Sequence, residues 1–396
     1  MKTFTVKNRY LVLAFGMVLQ LCAGIIYMWS VFKGPVATYL TWDAAAAAIT
    51  SSIMLAAFVL GIIFGGRLQD KFGPAPVALL GSVLLGLGMI LSSFVPASAP
   101  WLIYVFYGVI GGFGVGCVYT TTVSVIQKWF FDKRGFATGM MVGAFGLSLV
   151  LFAPVTKTLL AGWGVPKTFL AIGITFLVIC SVCSLFLANP EVKPQAGSAQ
   201  STQKQFTTKE MLKTKEFYLL TLSLFFVLPA YFILNPLFMS LGVERGLTEN
   251  MAAVGVMITG IASAGGRLFT SWYSDYVGRK AGIMTISILT LAASLGMIVA
   301  QNVVFLICLA VIAFCFGGAA SVFAATAADL FGTKHIGLNY GLVMIGFGAS
   351  ALIFPIISSK LAATGVFTYS FIVAAVTCAI TLVLAAFLKI PKKAKK

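Results

Sequence analysis

Runs of roughly 20 apolar residues, the length that carries an α-helix across a hydrocarbon layer about 30 Å thick, recur from one end of the chain to the other. They lie at 9–32, 45–66, 74–94, 99–127, 135–160, 166–188, 217–241, 250–273, 281–299, 303–328, 337–361 and 366–389. Several exceed the minimum length and are expected to tilt. Of the 396 residues, 60% are hydrophobic and 9% charged, whereas a soluble domain carries about 25% charged residues. The expected fold class is an all-α membrane protein of twelve transmembrane helices. No cleavable leader is evident, because "MKTFTVKNRY" runs straight into an apolar segment that does not stop after a short core. Insertion in the cytoplasmic (inner) cell membrane is the expectation.

One connection is long. Residues 189–216 are polar and basic and divide the spans six and six, giving an N-terminal bundle over 1–188, a cytoplasmic linker over 189–216 and a C-terminal bundle over 217–396. With both termini in the cytoplasm, every Lys and Arg falls on that side except Lys33, Lys157, Lys167, Arg245, Lys360 and the mid-span Arg267. The excess of positive charge on cytoplasmic loops favours that orientation. The formal charge of +17 then faces anionic lipid, and nucleic acid drops out as a partner. The seven cysteines all lie within spans; "CSVC" at 180–183 has redox spacing, but an apolar helix offers nothing to activate a thiol.

The halves repeat. "GRLQDKFGP" (66–74) follows the second span and "SWYSDYVGRK" (271–280) the eighth, with Asp70 and Asp275 in matching places. "RGFATGMMVGAFGLSLVLFAP" and "IGLNYGLVMIGFGASALIFP" align at one offset, so that Gly139 matches Gly341, Phe145 matches Phe347 and Gly146 matches Gly348. Two six-helix repeats joined by a loop are the plan of alternating-access carriers. Gly108, Gly112 and Gly116 recur one turn apart, a spacing for close helix approach. The embedded G-x-G is no nucleotide site, because no strand precedes it.

Gly66, Leu68, Asp70 and Gly73 resemble the cytoplasmic signature loop of the major facilitator superfamily, and "SDYVGR" is a weaker copy. The resemblance implies a gating role without substrate contact for Gly66, Asp70, Gly73, Asp275 and Arg279. A closer resemblance is to the oxalate/formate antiporter family and the related monocarboxylate transporters. It rests on "GIIYMWSVF" (24–32), "GVGCVYTTT" with "KWFFDKRG" (114–135), "GGRLFTSWYSD" in the eighth span and "NYGLVMIGFG" in the eleventh.

Arg267 stands two turns before Asp275, about 12 Å up the helix at 1.5 Å per residue. A charge at such depth costs about 2.5–3.5 kcal/mol even on the lenient insertion scale. Its planar fork of donors suits a carboxylate, and in the resembled family the matching arginine binds the substrate carboxylate. The ten acidic residues, Asp43, Asp70, Asp132, Glu191, Glu210, Glu216, Glu244, Glu249, Asp275 and Asp329, all fall in loops or at helix ends. No mid-span acid therefore offers a site for a cationic drug or a sodium ion. Tyr27 and Tyr119 are hydroxyl donors with rings that shape an apolar pocket, and the resemblance has both line the cavity. Phe145 and Phe347, placed alike in the repeats, are candidates to close it.

Departures from the family refine the expectation. Oxalate carriers place a second cation, a lysine, two turns after the asparagine of the "NYG" stretch. Counted from Asn339, that position here is Phe347. A family glutamine beside the first-span tyrosine is Ile26, and a family tenth-span tyrosine corresponds to Ala320. One fixed charge and an apolar wall suit a monoanion. The function expected is secondary active transport of lactate- or pyruvate-like monocarboxylates by symport or antiport, with oxalate:formate-type exchange as the alternative. An enzyme is not expected, since one loop histidine, His335, cannot supply a catalytic cluster. No cofactor or metal is expected. The expected partners are a small carboxylate anion, with or without a co-transported proton, and the lipid bilayer around a monomer.

Overall fold

The structure, a computed structural model, describes residues 8–190, 203–362 and 367–390. Linker residues 191–202, the basic residues Lys2, Lys7 and Lys193, and the last lysines lie outside the described residues. Among those described, every regular element is helical, as hydrocarbon requires when no water is present to bond the backbone. Eleven stretches of the described residues are long and apolar enough to cross a membrane. One of them, Arg134–Ser184, runs for 51 residues and is broken at Gly164 (φ +72°). It holds the fifth and sixth expected spans, so a twelve-helix, two-repeat plan stands.

In chain order the helices are α1 (Arg9–Ala23), α2 (Trp29–Tyr39), α3 (Ala44–Phe72), α4 (Pro74–Ser92), α5 (Gly112–Trp129), α6 (Arg134–Ser184) and α7 (Thr208–Met211). They continue as α8 (Lys215–Val227), α9 (Pro229–Leu234), α10 (Phe238–Glu244), α11 (Glu249–Val277), α12 (Arg279–Val299) and α13 (Asn302–Phe331). The last are α14 (Ile336–Val343), α15 (Ile345–Ala362) and α16 (Thr368–Phe387). A 3₁₀ turn, Gly24–Met28, joins α1 to α2, and a π-helical segment, Tyr104–Gly111, leads into α5. The first and seventh expected spans are thus interrupted, the seventh by Pro229 and by the 3₁₀ turn Asn235–Leu237.

Helix ends follow local chemistry. The Asp43 carboxylate accepts from the Ala46 amide at 2.8 Å, and Thr207 forms a capping box with Glu210, bonding amides that no helical carbonyl reaches. Gly73 (φ +86°) and Gly278 (φ +94°) turn α3 into α4 and α11 into α12; other residues rarely adopt that backbone region.

The chain packs as two compact units. The first comprises Met1–Phe131, Ala144–Thr202 and Thr333–Leu342; the second comprises Asp132–Gly143, Gln203–Gly332 and Val343–Lys396. Two short segments, 132–143 and 333–342, therefore pack with the unit opposite to their sequence half. Inside the first unit, α3 and α5 approach so closely that a Cβ at Gly61 would overlap the Phe113 carbonyl, and one at Gly116 the Phe58 carbonyl. The second unit repeats the device in α11 and α13, with Gly266 on the Phe314 carbonyl and Gly317 on that of Ser263. Outward faces carry Leu60, Phe64, Leu151, Ile179, Ile261, Phe269, Ile307 and Ile356 exposed, far more apolar surface than a soluble monomer shows.

Because the atom met at Gly116 is backbone, Gly116→Val must separate α3 from α5. The variant is expected to lose its monodisperse peak in detergent gel filtration. Gly162→Ala, with nothing within 4 Å of the added methyl, is expected to elute and melt like the parent.

Candidate functional site

Asp70 and Asp275 each close a helix start within their own unit. In the first unit the Asp70 carboxylate accepts from the amides of Gly337 (3.3 Å) and Leu338 (3.0 Å) at the beginning of α14. In the second, Asp275 accepts from Gly135 (3.0 Å) and Phe136 (2.8 Å) at the beginning of α6. An acid at a helix N-terminus meets both unbonded amides and the positive end of the dipole. Close backbone contact accompanies each bond: Gly66 lies on the Gly337 carbonyl, and Gly135 on that of Ser271. These contacts explain why 333–342 and 132–143 cluster where they do.

The second unit adds charge. Arg279 donates to Asp275 at 2.6 Å and to Asp329 at 2.7 Å, and Arg134 donates to Asp329 at 2.7 Å. Arg134 is 1% exposed. Gln203 accepts from Arg134 and donates to the Ala328 and Asp329 carbonyls, so the described end of the linker is bonded to the end of α13. Sequence reasoning counts Arg134 among the cytoplasmic bases and Asp329 among the acids in loops or at helix ends; their pairing has no signal in spacing.

One turn further along, Gly139 sits over the Arg267 carbonyl, with 2.7 Å left for a Cβ, and Gly341 over the Ile62 carbonyl, with 3.1 Å. The repeats therefore match Arg267 to Ile62 by the same backbone contact. Ile62 is 0% exposed and Arg267 3%. The Arg267 guanidinium donates to the Val142 carbonyl at 3.2 Å, and its own carbonyl accepts from Ser321 at 2.7 Å. An arginine thus fills, in one repeat, a place that packs equally with an isoleucine in the other.

The aromatic candidates fall into two groups. In the first unit the Phe145 ring meets Tyr27 at 5.5 Å, Tyr119 at 5.2 Å and Phe58 at 6.1 Å, centroid to centroid. Tyr119 also shares a hydroxyl contact of 3.4 Å with Tyr340, a residue visible in the "NYG" stretch but not singled out by sequence. In the second unit Phe347 meets Phe232 at 5.7 Å and Phe316 at 6.4 Å. The edge-on geometry of Tyr27 with Phe145 (76°) recurs in Phe232 with Phe347 (75°). The first pair carries a hydroxyl and the second none.

The profile of the Major Facilitator Superfamily matches residues 13–275 and 220–396. The chain belongs to this superfamily. It is 29% identical over 386 residues to the oxalate:formate antiporter of Oxalobacter formigenes, covering 96% of this chain and 90% of that one. It is 27% identical over 357 residues to rat monocarboxylate transporter 13, covering 89% and 82%. The superfamily transporter FucP in its outward conformation superposes with a TM-score of 0.73 at 15% identity, over 96% of this chain and 99% of FucP. The protein is a secondary transporter of the superfamily, whose members are transporters rather than enzymes.

Removing charge at the two caps should have unequal effects. Asp70→Asn weakens two amide bonds, whereas Asp275→Asn also strips a buried partner from Arg279. Breaking a buried pair from one side costs about 3–5 kcal/mol. A larger drop in detergent melting temperature is expected for Asp275→Asn than for Asp70→Asn; equal drops would show that the ion pair adds nothing to the cap.

Proposed function

We propose that the protein carries small monocarboxylates of the lactate and pyruvate kind across the cytoplasmic membrane by alternating access, with the carboxylate held by Arg267. The observation that carries this reading is the match of Arg267 to Ile62. A buried charge that packing does not require, on a helix within an apolar span, is kept for chemistry. A guanidinium offers a carboxylate two parallel donors. Tyr27 and Tyr119 are assigned hydroxyl contacts to the substrate, and Phe145 and Phe347 its apolar walls. Gly66, Asp70, Gly73, Asp275 and Arg279 are assigned the latch, consistent with the two carboxylate caps. The excess of Lys and Arg on alternate loops supports cytoplasmic termini. A proton can travel on the substrate carboxylate itself, so coupling needs no buried acid.

Oxalate:formate exchange is the second reading, favoured by the similarity to the Oxalobacter formigenes antiporter across 96% of the chain. Phe347 weighs against it. A second carboxylate set against phenylalanine rings would be desolvated without a partner, at a cost of several kcal/mol.

Arg267→Ile, which copies the repeat mate, is expected to insert and melt like the parent yet lose saturable uptake in proteoliposomes. Arg267→Lys should transport poorly, because an ammonium lacks the fork. Normal uptake by the isoleucine variant would refute the anchor. Selectivity is checked by competition. The parent should take up lactate or pyruvate in preference to oxalate, and Phe347→Lys should move that preference toward oxalate while weakening monocarboxylate uptake. Tight oxalate competition in the parent would favour the second reading.

A further inference from the structure

The 3₁₀ turn Gly24–Met28 sets the direction of Tyr27. A 3₁₀ helix advances 120° per residue where an α-helix advances 100°, so the four residues from Gly24 to Tyr27 rotate the tyrosine about 80° away from an α-helical continuation. Gly24, Ile25, Ile26 and Met28 are buried, and Tyr27 is the one half-buried residue of the turn. Short 3₁₀ segments have poorer hydrogen-bond geometry than an α-helix and persist where surroundings hold them.

Two contacts hold this one. Gly24 lies against the Phe145 carbonyl and the Ser148 side chain, where no Cβ would fit. From the other side, the Tyr107 hydroxyl donates to the Ile25 carbonyl at 3.0 Å. Tyr107 is 1% exposed, and its ring packs among Trp29, Phe32 and Phe169 at 5.1, 6.2 and 5.9 Å. A phenylalanine would keep that packing and lose only the bond. Tyr107 itself stands in the π-helical segment Tyr104–Gly111, a kind of irregularity frequent at functional sites. The 3₁₀ turn and the π-helical segment of this unit are thus joined by a single hydroxyl.

We propose that Tyr107 is a positioning residue: its hydroxyl holds the 3₁₀ turn that aims Tyr27 at the transported carboxylate. The inference rests on the reading of Tyr27 as a substrate contact. Y107F, Y27F and the double variant are compared for labelled lactate uptake in proteoliposomes, together with detergent melting and hydrogen exchange of the peptide covering 24–28. Y107F is expected to raise KM about three- to ten-fold, the worth of one buried hydrogen bond, with maximal rate held and the melting temperature lowered by no more than a few degrees. Exchange should quicken over 24–28. In the Y27F background Y107F should add nothing to KM. An equal rise in both backgrounds, an unchanged KM, or unaltered exchange over 24–28 overturns the inference. If Y27F alone leaves KM unchanged, the assignment of Tyr27 fails first and the inference falls with it; that result is distinct because exchange in Y107F still quickens.

Discussion

A peptide group inside hydrocarbon can bond only to another protein group, so each departure from α-helix in a spanning segment needs a partner built for it. The structure supplies these partners by side chain. Tyr107 donates to the Ile25 carbonyl at the 3₁₀ turn, while Tyr104 and Trp29 add bonds to the Ala46 (2.8 Å) and Ala47 (2.9 Å) carbonyls in the regular first turn of α3. Asp70 and Asp275 take the first amides of α14 and α6. With hydrophobic attraction between spans largely absent in lipid, cohesion falls to close packing. The glycines that let α3 meet α5, and α11 meet α13, carry that burden.

Packing repeats between the units, whereas chemistry does not. Gly61 and Gly266, Gly116 and Gly317, Gly139 and Gly341 make the same backbone contacts in their two settings. Against that common frame the differences are few and sharp. Arg267 stands where the other repeat has Ile62, and Tyr27 stands where it has Phe232. The caps differ too, since only Asp275 is tied to Arg279 and through it to Asp329 and Arg134. On the proposed function, these polar departures from the shared backbone frame are the side chains that meet the substrate.

Much of this was legible in the amino-acid order. The spans and the twelve-helix, two-repeat plan follow from hydropathy, because a hydrocarbon layer demands a backbone bonded within itself over a fixed length. Arg267 stood out because charge in such a segment is costly wherever it lies. The matched Asp70 and Asp275, and the matched Phe145 and Phe347, could be read from the repeat between halves, at an offset of 205 residues for the first pair and 202 for the second. The break at Gly164 fell between the expected fifth and sixth spans.

What periodicity could not reach were contacts between residues far apart in the chain. Arg134 reads as one more cytoplasmic base until Asp329 is placed beside it, and Gln203 as linker until the end of α13 receives it. Segments 132–143 and 333–342 belong by order to one half and by packing to the other unit, since glycine-thin surfaces let backbones touch there. The equivalence of Arg267 with Ile62, and the bond from Tyr107 that rotates Tyr27, arise only once helices pack. Hydropathy specifies that a segment is a helix in lipid; the phase of that helix, and so the direction of each side chain, is decided by which neighbour's hydroxyl or carbonyl lies within about 3 Å.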